Sequence, residues 1–160
     1  MKTGYAVSER PAAGEFTDVQ IAIVCTRWNV EIVDALMDGA FRCLDDWGVP
    51  EDAVDEFYAP GAYELPLAAS ALMETGDYHG VIVLGAVIRG DTPHFDFVAG
   101  ECARGIMNVQ LQYRLPIGFG VLTVNDAQQA VDRAGPDESN KGYEAAAAVL
   151  EMIRLTRSVA

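Results

Sequence analysis

The chain has 160 residues, 51% of them hydrophobic and 22% charged, which supplies one buried core and leaves too little charge for a disordered chain. Its 24 Asp and Glu against 11 Lys and Arg give a net charge of -13, which repels nucleic acid and anionic lipid and sets both aside as partners. No apolar run approaches the ~20 residues of a membrane span, and the N-terminus shows no apolar segment of a secretory signal, so the expected location is the cytoplasm.

Residues 1–18 mix Gly, Pro, Ser, Glu and Ala without periodicity and predict an arm that orders when a partner holds it; residues 19–160 form a single domain. Val19 to Cys25 is short, β-branched and apolar on both faces, the pattern of a strand buried in a parallel sheet. Val30, Val33, Met37, Ala40, Phe41, Leu44 and Trp47 then recur at steps of three and four, a helix stopped at Gly48-Val49-Pro50. A second strand fits Ala53 to Tyr58, and a helix follows from Glu64 to Thr75. Val81 to Ile88 predicts a third strand, His94 to Tyr113 a long helix, and Ile117 to Val124 a fourth strand. Two helices close the chain, Ala127 to Ala134 and Tyr143 to Arg157. Strand and helix in alternation predict an α/β fold: a three-layer α/β/α, flavodoxin-like arrangement around a central four-stranded parallel sheet. Cys25, Cys43 and Cys102 are odd in number and sit inside apolar patterns, so they are read as core, with no disulfide and no metal.

In such a sheet ligands bind beyond the carboxyl ends of the strands. The first strand ends in Thr26-Arg27-Trp28-Asn29 and the second in Pro60-Gly61-Ala62-Tyr63-Glu64, so an aromatic at each turn can wall a pocket for a flat ring. The third ends in Ile88-Arg89-Gly90-Asp91-Thr92-Pro93-His94, where a glycine and a helix start offer backbone N–H groups to a phosphate. Neither GxxxxGK[ST] nor GxGxxG is present, which argues against nucleoside triphosphate chemistry. His94 is either a proton carrier beside that anion site or a helix-surface histidine with a backbone partner. Arg133 and Lys141 are either phosphate-binding cations or ordinary solvated ones, and Glu64 either complements a helix dipole or binds hydroxyls. Phe119 lies near the start of its strand, at the end opposite the site turns; if it serves a site, that site is a neighbour's.

Taken together, TRWN at 26 to 29, PGAYELP at 60 to 66, VIRGDTPHFDFV at 87 to 98, GFGVLTVND at 118 to 126, DRAG at 132 to 135 and NKG at 140 to 142 closely resemble the 6,7-dimethyl-8-ribityllumazine synthase family. The resemblance implies condensation of 5-amino-6-(D-ribitylamino)uracil with L-3,4-dihydroxy-2-butanone 4-phosphate to the lumazine, phosphate and water, with no cofactor or metal. It implies that Trp28 stacks on the pyrimidine, that backbone at Val87 and Ile88, beside Ala86, meets the ring edge, and that Asn29, Ala62, Tyr63 and Glu64 line the ring and ribityl region. Gly90, Asp91 and Thr92 would hold the phosphate, with the Asp91 side chain turned to solvent, and His94 would move protons.

Phe119, Arg133 and Lys141 match residues that the family supplies from the adjacent subunit, in homo-oligomers that are pentamers or icosahedral shells of twelve pentamers. The resemblance adds riboflavin synthase as a partner that such a shell can enclose. The four-residue link Pro136 to Ser139 resembles the shell-forming members, in which the N-terminal arm would add to a neighbour's sheet, although Pro11 interrupts its ladder. Asp132 stands where many members have Glu. Two other readings are weighed. A receiver-type signalling domain shares the architecture but lacks its acidic cluster here; a non-catalytic flavin or lumazine binder, or a cage, would have no need of His94, Arg133 and Lys141 together.

Overall fold

Parallel strands cannot be joined by tight hairpins, so each connection has to travel back over a face of the sheet, and in this chain each does so through a helix. The computed structural model describes residues 8–160. Four parallel strands, β1 (Ile21–Thr26), β2 (Val54–Ala59), β3 (Gly80–Ile88) and β4 (Ile117–Val124), stand in the order β2-β1-β3-β4. The helices are α1 (Val30–Asp46), α2 (Leu65–Glu74), α3 (His94–Tyr113), α4 (Ala127–Asp132) and α5 (Lys141–Ser158).

The period of two along the central strands divides the core into two layers. Ile21, Ile23, Ile82, Leu84 and Leu122 pack with α1 and α5, and Ala22, Val24, Val81, Val83 and Val121 pack with α2 and α3. Both faces are therefore covered by helices, as the apolar runs of β1 and β3 require.

The element boundaries differ from the sequence reading where local turns compete with the ladder. Val19 is buried ahead of β1, its N–H given to Phe16 in a turn at 3.3 Å. Ala53 ends a short 3₁₀ turn, Glu51–Ala53, that follows Pro50, so β2 begins one residue later. Helix α4 stops at Asp132, ahead of Gly135-Pro136, and α5 starts at Lys141 because Asn140 caps it. All three cysteines are buried and free; burial pushes the Cys25 thiol up to about 12 and Cys102 to about 11, so neither is a nucleophile near neutral pH.

The N-terminal segment departs from the expectation that a partner must order it. Residues 1–7 lie outside the described residues, and the expected strand addition to a neighbour's sheet falls partly there. From Glu9 to Asp18, however, the segment is tied to this chain's own α5. Phe16 is 1% exposed against Trp47, with ring centroids 6.0 Å apart. The Arg154 guanidinium stands over both rings and donates to Glu15 at 2.7 Å, while Arg157 donates to Asp18 at 2.9 Å. A single anchoring phenylalanine in a polar stretch leaves no periodicity to read.

Hydrogen bonding from Arg154 holds the Glu15 carboxyl below its ordinary value of 4.5. A depressed carboxylate pKa stabilises the fold above the unfolded value and loses that contribution as pH falls through the lower folded value. Glu15→Gln is therefore expected to be less stable than wild type at pH 7, with the gap in urea midpoint closing as the pH drops below about 4.5. A gap that persists unchanged into acid would assign the tie to packing instead of charge.

Candidate active site

β3 is longer than β1 at its carboxyl end. The β1–β3 register stops at Cys25 opposite Leu84, whereas β3 and β4 stay paired as far as Ile88 opposite Val124. The last residues of β3 thus have one edge free, and a cleft of about 840 Å³ opens along it. Val81 and Arg89 give their N–H groups to the β4 side, to Pro116 and Val124, so the period of two turns the backbone groups of Ala86 and Ile88 towards the free edge. Those of Val87 face β4, while Val87 is among the residues that line the cleft.

Asn29 opens the cleft on the β1 side. It sits in the left-handed region at φ 55°, ψ 55°, a conformation asparagine tolerates better than most residues, and starts α1 directly after the strand. Its Nδ2 donates to the Ala86 carbonyl at 3.3 Å, bridging the gap left by the missing ladder. Trp28 beside it is 70% exposed, a large aromatic held at the cleft with nothing of its own chain covering it. On the β2 side, a 3₁₀ turn, Ala62–Glu64, places Tyr63 and Glu64 at the wall above buried Ala62. Gly61 keeps these groups close: a Cβ there would lie 3.3 Å from the Trp28 ring and 3.3 Å from the Glu64 carboxylate.

The far end is the turn from Arg89 to His94. Gly90 and Thr92 line the cleft, and among the described residues the N–H groups of Gly90, Asp91 and Thr92 meet no acceptor in the chain. Asp91 is exposed and is not among the residues that line the cleft. His94 opens α3 with its side chain in the wall, and its N–H reaches the Thr92 hydroxyl at 3.4 Å. Unpaired N–H groups at a helix start favour an anion. Sequence reading missed Thr26, Phe95, Phe97 and Val98, which complete the wall. The last three follow His94 at helical spacing, a signal easily taken for core.

No Lys or Arg lines this cleft among the described residues. Arg133 and Lys141 lie elsewhere, brought together by a 2.8 Å bond from the Lys141 N–H to the Arg133 carbonyl. Arg133 donates to the Gln129 carbonyl of its own helix, and Lys141 pairs with Glu144 at 2.7 Å. Phe119, on the edge strand β4, is 41% exposed and also outside the cleft. Its neighbours Gly118 and Gly120 face α5, so Phe119 emerges on the α3 side.

The sequence profile described as 6,7-dimethyl-8-ribityllumazine synthase matches residues 18–157. The chain belongs to this family. Proteins of that name are similar along nearly their whole length: 46% identical over 140 residues in Helicobacter pylori (strain HPAG1), covering 88% of this chain and 90% of that one. The Deinococcus deserti protein is 47% identical over 143 residues, covering 89% and 92%, and that of Nitratidesulfovibrio vulgaris (strain Miyazaki F) 49% over 137 residues, covering 86% and 88%. Of the blocks that resemble lumazine synthases, those at 26 to 29, 60 to 66 and 87 to 98 meet at the cleft, whereas Phe119 on the α3 face and the Arg133–Lys141 pair lie away from it.

Proposed function

We propose that this chain is a lumazine synthase that condenses 5-amino-6-(D-ribitylamino)uracil with L-3,4-dihydroxy-2-butanone 4-phosphate, releasing phosphate and water, at sites completed by a second copy of itself. The observation that carries this reading is one cleft that holds an exposed aromatic, a free strand edge and an anion-ready turn beside a histidine.

The pyrimidine stacks on Trp28, and its alternating N–H and carbonyl edge meets the strand edge at Ala86 and Ile88, where the Ala86 carbonyl also accepts from Asn29. Glu64 and Asn29 take ribityl hydroxyls, with Ala62 and Tyr63 packing along the chain. The butanone phosphate sits on the Gly90 to Thr92 turn, which fixes its carbonyl next to the pyrimidine's 5-amino group. The amine adds to the ketone and loses water to give an imine; loss of phosphate leaves an enol that becomes a second carbonyl, and addition of the ribityl-bearing nitrogen to it with loss of a second water completes the ring. These steps need one group that both gives and takes a proton, and His94 is the imidazole in the wall.

A phosphate group in a chain of net charge -13 calls for cations that its own cleft does not contain. Arg133 and Lys141 of a neighbouring copy supply them, and the neighbour's Phe119 covers the ring. Exposed Phe97, Met107 and Leu111 recur along α3 at helical spacing, an apolar stripe suited to bury that neighbour. The short link Pro136 to Ser139 favours the 60-subunit shell over the free pentamer, with riboflavin synthase as the enclosed partner. The setting is cytoplasmic, where three unpaired thiols stay reduced. No helix among the described residues is long and apolar enough to cross a membrane.

Mixing purified protein with both substrates tests the reading. Lumazine absorbance and fluorescence should grow well above the uncatalysed rate. Tight binding of the pyrimidine without turnover would make the protein a binder or cage.

A further inference from the structure

The segment that ends in Arg133 and resumes at Lys141 contains one side chain that is almost wholly buried. Asn140 is 1% exposed, and all four of its amide hydrogen-bonding positions are used. Its Nδ2 donates to the Gly135 carbonyl at 2.8 Å and to the Ala35 carbonyl of α1 at 3.0 Å. Its Oδ1 accepts from the N–H groups of Gly142 at 2.8 Å and Tyr143 at 3.2 Å. Two donors facing carbonyls and one oxygen facing N–H groups fix the amide orientation uniquely.

The two halves of that amide do different work. The oxygen caps α5, which Asp and Ser also do well. The nitrogen ties the connecting loop at Gly135 to α1, for which a carboxylate has no donor. Gly39 of α1 leaves the space: a Cβ there would overlap the Asn140 amide. Around this point the loop is otherwise exposed from Pro136 to Ser139, held by longer contacts of Arg42 to the carbonyls of Gly135 and Asp137, at 3.5 and 3.4 Å, and by the exposed Arg10–Glu138 ion pair at 2.8 Å.

Arg133 stands two residues before Gly135, and Lys141 directly follows Asn140. The Lys141 N–H to Arg133 carbonyl bond closes the loop between them at 2.8 Å. We infer that Asn140 is a positioning residue for the phosphate cations: by pinning Gly135 to α1 it sets the placement of Arg133 relative to Lys141 and so their joint presentation to the phosphorylated substrate. This rests on the reading above that the two cations bind that phosphate. Asn140 itself is buried and touches no substrate.

The two functions of the amide can be separated. Asn140→Asp keeps the cap and removes both donors, placing oxygen against the Gly135 and Ala35 carbonyls; Asn140→Ser keeps a capping oxygen and loses the reach. In assembled protein, either variant is expected to raise KM for the butanone phosphate about tenfold, since displacement of a binding group by about 1 Å costs up to ~10²-fold. KM for the pyrimidine should stay unchanged, and inorganic phosphate should lose potency as an inhibitor in parallel. Arg133→Ala is measured beside them. If it weakens the butanone phosphate while both Asn140 variants lower only the melting temperature, Asn140 is merely structural and the inference is overturned. If Arg133→Ala leaves that KM unchanged, the cation reading fails and the inference with it. Acting through Arg133 also requires non-additivity: in the Arg133→Ala background, Asn140→Asp should add little, and full additivity would contradict the mechanism.

Discussion

His94→Ala is expected to lower kcat by ~10²-fold or more, because proton transfer by a positioned side chain contributes that much to reactions of this kind. The residue is exposed at the start of α3 and supports no core packing, so subunit stability and assembly should be unchanged. Pyrimidine binding should also survive, since Trp28 and the free edge of β3 are separate from it in the cleft wall. Steady-state kinetics with both substrates, together with sedimentation of the variant, separates these outcomes. Full turnover in the variant would remove His94 from the mechanism and leave phosphate elimination to binding and desolvation alone.

The largest effect on stability is expected at Gly142. A Cβ at this position would overlap the Leu36 carbonyl of α1 and stand 3.0 Å from the Asn140 oxygen that caps the helix. Backbone opposes the new atom on one side and a fully committed amide on the other, so no flexible side chain can give way. Gly142→Ala should cost about 3 kcal/mol in urea unfolding, the upper part of the range for overpacking. An unchanged midpoint would mean that α1 and α5 separate easily here, contrary to the close packing along their length.

The same glycine shows why part of the fold was hard to read from sequence. The strand β4 and the helix α3 match their expected limits and β3 starts only one residue earlier, at Gly80, because buried strands and long amphipathic helices write their periods over many residues. The start of α5 did not: Asn140-Lys141-Gly142 reads as a loop, since Gly142 disfavours helix and its reason is a helix on the far side of the core. Phe16 is a similar case, a core residue isolated among polar ones whose partners, Trp47 and Arg154, are distant in sequence.

The site divides in the same way. Trp28, Tyr63, Glu64, Thr92 and His94 sit at strand ends, where topology alone says a ligand belongs, and they meet in one cleft. The free edge of β3 was not legible, because it depends on β1 being shorter at that end, a matter of register. Phe119, Arg133 and Lys141 cannot be placed by the turns of their own subunit at all. On the proposed reading, their meaning depends on a surface that another copy covers.

Complementation between variants tests that point directly. On the proposed reading, His94→Ala disables the part of a site that its own subunit provides, and Arg133→Ala the part it lends to a neighbour. Each alone should be severely impaired as a homo-oligomer. Co-expressed at equal amounts and allowed to assemble randomly, the two should regenerate about one intact site in four, because a site is whole only where an Arg133→Ala subunit receives the arginine of a His94→Ala subunit. Recovered lumazine formation near a quarter of the wild-type rate is the predicted result. Activity no greater than the average of the two separate variants would show that each site is built from one subunit, and would contradict the account.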